Sequence, residues 1–170
     1  MASAVAIRAE RTDDEETISQ VIKSAFLGMP YADGDESELV VALRAQNALS
    51  VSLVAELEGA IVGHIAFSPA RSSPGESRWY ALGPVAVLPA HQRLCIGSKL
   101  VLTGLQRVFD LGAFGCVLTG NPAYYSRFGF AVSPGNAPPG EPAKFFMVKL
   151  LRGKLPTGPI HFHKAFGSAA

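Results

Sequence analysis

Hydrophobic spacing changes period at Leu49, and that change restricts the chain to folds that combine helices with strands. Before it, Ile18, Val21, Ile22, Ala25 and Phe26 fall on one helical face, and Leu39, Val40 and Leu43 do so again within Glu36 to Gln46. After it, Leu49, Val51, Leu53, Ala55 and Leu57 alternate with Ser50, Ser52, Val54, Glu56 and Glu58, as side chains do on a strand. Glu58-Gly59 is a hairpin turn signal, with Ile61 to Phe67 as the returning strand. Val5 and Ile7 predict a short first strand, and Thr12-Asp13-Asp14-Glu15 has capping-box spacing ahead of the first helix. Gly28 and Pro30 end that helix.

Pro69 to Arg78, rich in Ser, Pro and Gly, reads as a loop, and Trp79 to Leu88 as a buried strand stopped by Pro89. A helix is expected from about Gly97 to Leu111, because Leu100, Val101, Gly104, Leu105 and Val108 share a face and Gly112 stands where a C′ glycine belongs. Cys116 to Leu118 reads as a short buried strand, and Ala123 to Phe128 as a turn or two of helix. Ser133 to Pro142 reads as irregular, and Phe145 to Leu151 and Ile160 to Phe166 as closing strands. With no repeat and no linker, residues 1–170 read as a single α/β domain. Its mixed central sheet has about six to seven strands flanked by about four helices.

Composition narrows the function classes. Apolar residues make up 48% and charged residues 17%, enough apolar surface for a sizeable core. Fifteen Lys and Arg against 14 Asp and Glu leave a net charge of +1, which gives no basic footprint for nucleic acid. Cys95 and Cys116 alone do not make a disulfide framework. No signal peptide or spanning segment is evident, so a cytoplasmic protein without membrane contact is expected.

The chemistry concentrates between Leu82 and Gly97. A buried strand ends at Leu88-Pro89, and a polar loop leads directly into a helix. Such a junction aims unpaired amides and the positive end of a helix dipole at one point, a general anion site suited to phosphate, with Arg93 beside it. Neither the P-loop nor the dinucleotide fingerprint is present. An ordinary strand-to-helix connection would have the same length.

Leu82-Gly83-Pro84-Val85-Ala86-Val87-Leu88-Pro89-Ala90-His91-Gln92-Arg93-Leu94-Cys95-Ile96-Gly97-Ser98 resembles motif A of the GCN5-related N-acetyltransferases (GNAT), a strand followed by [QR]-x-x-G-x-[GA] and a helix. Tyr125-Ser126-Arg127-Phe128-Gly129-Phe130 resembles the family's Y-x-[KR]-x-G-F ending, in the family's order. Gly63-His64-Ile65, Phe67-Ser68-Pro69 and Asn121-Pro122-Ala123-Tyr124-Tyr125 are most similar to the bacterial YhbS-like branch. The resemblance covers nearly the whole chain and implies a GNAT-like fold.

The resemblance also implies an acyl-CoA-dependent N-acetyltransferase. Acetyl-CoA would be the cosubstrate, with no metal, and its acetyl group would pass to a primary amine on a small molecule or protein by direct attack in a ternary complex. Backbone groups of the segment Val85, Ala86 and Val87 would pair with the pantetheine arm. Amides of Gln92, Arg93, Leu94, Cys95, Ile96 and Gly97, with Ser98 at the helix start, would cradle the pyrophosphate. Asn121 and Tyr124 would line the cofactor site, and Tyr125 would protonate the departing thiolate, as a phenol held within hydrogen-bond reach can.

The sequence departs from the family pattern in three ways. Cys95 stands where the first motif glycine is expected, and Asn121 lies closer to the tyrosine than the family's asparagine does. The strand from Trp79 to Leu88 has no carboxylate, which leaves Glu56, His64 or a water chain as the general base. For Cys95 the expectation is right-handed backbone, since a helix starts immediately after it. The alternative reading is a non-catalytic acyl-CoA-binding or sensing module on the same scaffold. The apolar composition is compatible with a homodimer.

Each candidate also has an ordinary structural role open to it. Tyr124 and Tyr125 can be packing aromatics, and His64, flanked by apolar residues, reads as a satisfied structural histidine. His161 and His163 fall on one face of the closing strand without a third ligand. Trp79 and Phe145-Phe146 read as core or pocket wall, Cys116 as a small buried hydrophobe, and Glu36 and Glu38 as exposed helix carboxylates.

Overall fold

The computed structural model describes residues 4–30, 32–72 and 76–167, with backbone alone at 76 and 77. The elements are β1 (Ala6–Ala9), α1 (Glu15–Phe26), α2 (Glu36–Ala45), β2 (Val51–Leu57), β3 (Ala60–Ser72) and β4 (Glu76–Val87). They continue as α3 (Ile96–Asp110), β5 (Gly115–Thr119), α4 (Pro122–Tyr125), β6 (Ala131–Val132), β7 (Phe146–Leu150) and β8 (Ile160–His161). Hydrogen-bonded strands run in the order β1-β2-β3-β4-β5-β7-β6, with β8 on β3. β1–β2 and β2–β3 are antiparallel, whereas β4–β5 is parallel, so the sheet is mixed as expected. The short strand β6 brings the number to eight, because a pair of two residues leaves no periodic signal in a sequence.

Two compact units divide the chain, one formed by residues 1–67 and 83–104, the other by 68–82 and 105–170. In the first, α1 lays Ile18, Val21, Ile22 and Ala25 on Val40 of α2, Val54 of β2, Ala66 of β3 and Ala86 of β4. Helical spacing assigned the α1 residues and Val40 inward, whereas strand spacing set Val54 on the opposite, polar face of β2; it is buried because α1 covers that face too. Glu58 and Gly59 both take positive φ (52° and 80°), the requirement of a type I′ turn, and so join β2 to β3 as a tight hairpin. A register shift follows at Ala55/Glu56 and sets Val54 opposite His64. The start of α3 packs tightly on β3. A Cβ at Gly63 would stand 3.1 Å from Leu100 Cδ1 and 3.3 Å from Ile96 Cγ2, and one at Gly104 would fall inside the buried Phe67 ring.

In the second unit, Trp79, Ala81, Val117, Phe146, Val148 and Ile160 form the core, with Phe162 and Phe166 stacked at its margin at 5.0 Å. Trp79 and Phe146 are thus core, whereas Phe145 is 40% exposed.

Three expectations are corrected. The stretch from Pro69 is not a loop: β3 continues to Ser72 and β4 starts at Glu76, leaving only residues 73–75 outside the description. Ladder bonds to β8 and burial of Ala70 and Ser72 override the turn-forming composition there. The capping box at Thr12 and Glu15 does not form. The chain turns one residue earlier, into a 3₁₀ turn at Thr12–Asp14, so Asp14 rather than Glu15 accepts from the capping residue's amide (Arg11, 2.7 Å), and it also pairs with Arg8 (2.7 Å). The closing strand stops at His161. His163 Nδ1 accepts from the Ala165 amide (3.1 Å) and starts a 3₁₀ turn, so the two imidazoles do not share a strand face.

Gly104→Ala is expected to destabilise the protein by about 1–2 kcal/mol, since overpacking against Phe67 outweighs the helix propensity gained. A thermal melt should show a midpoint lower by several degrees, and an unchanged midpoint would refute the close approach.

Candidate active site

In the first unit the end of β4 passes through a 3₁₀ turn at Pro89–His91 into α3. Leu88 N–H donates to the Val62 carbonyl (2.9 Å), which keeps this end of β4 tied to β3 up to the turn. Beyond it Arg93 and Cys95 both adopt left-handed backbone, with φ of 69° and 62°. The expectation of right-handed backbone at Cys95 is therefore wrong. The turn into the helix needs a positive φ at this position, a conformation that a glycine adopts without strain. An L-residue there costs about 1–2 kcal/mol, and the chain keeps it.

The Cys95 carbonyl accepts the first helical bond of α3, from the Lys99 amide (3.1 Å). The amides of Ile96, Gly97 and Ser98 precede that bond and have no acceptor within the helix. Ile96 is buried and anchors the helix start, while Gln92, Arg93, Leu94 and Cys95 are exposed and Gly97 and Ser98 half-buried. This is an anion-accepting geometry with a cationic side chain in the same loop. Val85 and Val87 are half-buried and Ala86 is buried, so the segment alternates across the sheet. The Val87 carbonyl already accepts from Gln92 Nε2 (3.1 Å), which ties the loop to the strand and leaves its second lone pair for another donor.

The second unit holds the tyrosines. Asn121 caps α4, its Oδ1 accepting from the Ala123 amide (3.0 Å). The Tyr124 ring meets Tyr125 edge-on at 4.9 Å, and the Arg127 guanidinium lies over the Tyr124 ring, 4.7 Å from its centroid. Tyr125 packs edge-on against Phe130 (6.1 Å) and beside Gly120, where a Cβ would stand 2.7 Å from its Cε2. Gly129 has φ 91° and ends the turn that brings buried Phe130 onto Tyr125, so the glycine and second phenylalanine of the motif position the tyrosine ring.

Of the candidate bases, Glu56 is bound to Arg8 (2.8 Å). His64 is fully buried, with Nε2 2.8 Å from Ser52 Oγ and 3.9 Å from Glu10. Burial pushes its pKa down to about 4, despite the opposing charge of Glu10. The reading of His64 as fully satisfied fails at Nδ1, which is buried and bonded to no described residue. Sequence reasoning missed the surrounding network of Ser52, Glu10 and Arg44, because Glu10 and Arg44 lie far apart in the chain. Burial likewise pushes the Cys116 thiol up to about 12, which leaves it a hydrophobe. Among the described residues the carboxylate grouping that could hold a cation is Asp33, Asp35 and Glu36, at the surface, and it includes neither His161 nor His163.

The mixed sheet with this strand, loop and helix agrees with one class of enzyme: the chain belongs to the acetyltransferase (GNAT) family, whose profile matches residues 17–130. It is 31% identical over 149 residues to the uncharacterized N-acetyltransferase YhbS of Escherichia coli K12, covering 84% of this chain and 89% of that protein. The crystal structure of YhbS in complex with CoA superposes with a TM-score of 0.88, at 28% identity over 100% of this chain and 96% of that one. A GNAT family acetyltransferase from Brucella melitensis, crystallised with acetyl-CoA, is 43% identical, with a TM-score of 0.86 and coverage of 96% and 99%. The chain is thus an enzyme of the GNAT class. No described helix is long and apolar enough to cross a membrane.

Cys95→Gly is expected to stabilise the protein by about 1 kcal/mol, strain relief exceeding the added freedom of the unfolded chain. Its acetyl-CoA dissociation constant should stay within tenfold of wild type, because the strained backbone exists before ligand arrives. Melting and titration together check this, and a hundredfold tighter variant would show that the natural loop impairs binding.

Acid should destabilise the protein through His64. Its folded pKa of about 4 lies below the unfolded value near 6.5, so the unfolded state takes up the proton first. Stability should therefore fall by roughly 3 kcal/mol between about pH 6.5 and pH 4. Urea unfolding across that range should show this loss, and His64→Gln should flatten it.

Proposed function

We propose that the chain binds acetyl-CoA and transfers its acetyl group to a primary amine by direct attack in a ternary complex, residues 1–170 acting as one acetyltransferase domain. The observation that carries the reading is the β4–α3 junction. Left-handed Arg93 and Cys95 lead into a helix whose first amides have no internal acceptor. The Brucella melitensis relative, 43% identical, was crystallised with acetyl-CoA.

In this reading Val85, Ala86 and Val87 present backbone to the pantetheine arm. Amides from Gln92, Arg93 and Leu94 through Cys95, Ile96 and Gly97, with Ser98, receive the pyrophosphate, and the Arg93 guanidinium adds charge. An amide of the β4 segment at the thioester oxygen stabilises the tetrahedral intermediate as oxyanion holes do. Tyr125 gives its phenolic proton to the departing thiolate, with Tyr124 and Asn121 around it. The amine nucleophile comes from the acceptor, a small molecule or a protein, and the cytoplasm supplies acetyl-CoA.

A second reading, an acyl-CoA sensor without turnover, is favoured by Cys95 at the strained glycine position and by the absence of a carboxylate from Trp79 to Leu88. Both readings predict that acetyl-CoA at a hundred times its dissociation constant raises the melting midpoint by about 5–10 °C. Thiol release against a panel of amines separates them, since a sensor releases none. For the enzyme, Tyr125→Phe should lower kcat by about 10²- to 10⁴-fold while acetyl-CoA affinity changes little. A folded variant with wild-type kcat would remove Tyr125 from the mechanism.

A further inference from the structure

The network around His64 determines where its proton sits. Ser52 Oγ is hydrogen bonded both to Glu10 Oε1 and, at 2.8 Å, to His64 Nε2. Arg44 donates to both oxygens of Glu10, each at 2.9 Å. Desolvation pushes the Glu10 pKa up, but the bonds from Arg44 and Ser52 prevail and hold it below its ordinary value. Glu10 is therefore a carboxylate that can only accept. Ser52 has one proton, and that proton goes to Glu10. The serine oxygen must then accept from Nε2–H of a neutral imidazole, which leaves the lone pair on Nδ1. That atom is buried and bonded to no described residue.

Its place in the sheet gives this lone pair a use. Only three residues separate β3 from β4, so the two strands are antiparallel, since a parallel pair needs a far longer crossover. The Leu88 N–H to Val62 carbonyl bond then sets His64 level with Ala86, the middle of the segment assigned to the pantetheine arm. Val54, the β2 partner of His64, shares a core cluster with Ala86. The charged groups facing the imidazole are Glu10 after β1 and Arg44 on α2, with Glu15 of α1 reaching Arg44 at 3.4 Å. β2 contributes Ser52, and β4 from Ala81 to Val87 has no titratable residue.

We propose that His64 Nδ1 takes up, through water, the proton that the attacking amine loses, with Ser52, Glu10 and Arg44 as positioning residues that hold the lone pair at Nδ1. The proposal rests on the acetyl-transfer reading. The amine nitrogen bonds to the thioester carbon, and the C–S bond breaks with its electron pair leaving on sulfur. The thiolate takes the Tyr125 proton and becomes CoA–SH. The nitrogen proton passes through water to Nδ1, and the imidazolium is stabilised by the Glu10 carboxylate 3.9 Å from Nε2. His64 then returns its proton to solvent and Tyr125 regains one, so the products are amide and CoA–SH. A surface cavity of about 350 Å³ is lined by Glu10, Arg44 and Ser52 at the outer end of the network.

The experiment uses the full chain, acetyl-CoA, and the amine that gives the fastest thiol release with wild type. His64→Gln keeps an N–H for Ser52 and removes the basic nitrogen. It should melt within a few degrees of wild type at pH 7.5, keep the KM for acetyl-CoA within threefold, and lose at least a hundredfold in kcat. The acid limb of kcat/KM should disappear in this variant. Glu10→Gln, which removes the charge favouring the imidazolium, should move that limb to lower pH. Nitrogen-15 spectra of wild type at pH 7.5 should show His64 protonated at Nε2 alone, a readout that needs no turnover and no folded variant. Wild-type kcat and acid limb in folded His64→Gln, or a proton at Nδ1 in the spectra, would overturn the proposal and leave the acetyl-transfer reading standing. Wild type that releases no thiol with any amine overturns both, before any variant is made.

Discussion

The first unit depends on the close approach of α3 to β3. Two glycines permit it from opposite sides. Gly63 on the strand makes room for Ile96 and Leu100, and Gly104 on the helix makes room for the Phe67 ring. A side chain at Gly104 would collide with the Phe67 ring, and one at Gly63 would crowd Ile96 and Leu100. Since α3 begins at Ile96, only a short loop after β4, its depth on β3 also sets where its first amides point. The candidate anion site is thus fixed by apolar packing one and two turns further along the helix, where the chain has no polar chemistry.

The loop entering that helix shows how a functional geometry can hold against local preference. Arg93 and Cys95 adopt left-handed backbone that side-chain residues rarely take. Burial of Ile96 and the Lys99 bond to the Cys95 carbonyl hold the turn from its far side, and Gln92 holds it to β4 from the near side. Strain of this size persists only where the surroundings over-determine the conformation. A cysteine in place of glycine therefore changes the stability of the loop rather than its path.

Electrostatics in the first unit follow from one inward hydrogen-bond direction. Arg44 donates to Glu10, Glu10 accepts from the Ser52 hydroxyl, and Ser52 Oγ lies 2.8 Å from His64 Nε2. Each donor is committed by the acceptor outside it, so a half-buried ion pair sets the hydrogen-bond direction at a residue with no exposed surface. Arg8 does comparable work nearby with a different result: by binding both Glu56 and Asp14 it ties up the one carboxylate on β2 that could have served as a base.

By itself the sequence determined one inward face for each helix and strand, because helical and strand spacing are local properties, while burial of Val54 on the other face of β2 came from the packing of α1. Ile18, Val21 and Ile22 on α1, Leu53 and Ala55 on β2 and Leu100 and Val101 on α3 are all buried. It also determined the Glu58-Gly59 hairpin and the β4–α3 junction, where turn chemistry and motif spacing act within a few residues. Tertiary structure decided what long-range pairing controls. Ladder bonds to β8 made strand of Arg71 and Ser72 despite their turn-rich surroundings. The demand of the turn, not the nearness of a helix, set the sign of φ at Cys95. The register shift at Ala55/Glu56 placed His64 opposite Val54 and beside Ser52, and the fold brought Glu10 and Arg44 to that serine. A one-residue shift changes every cross-strand neighbour, and residues from α2, β2, β3 and the segment after β1 meet only once the chain has folded.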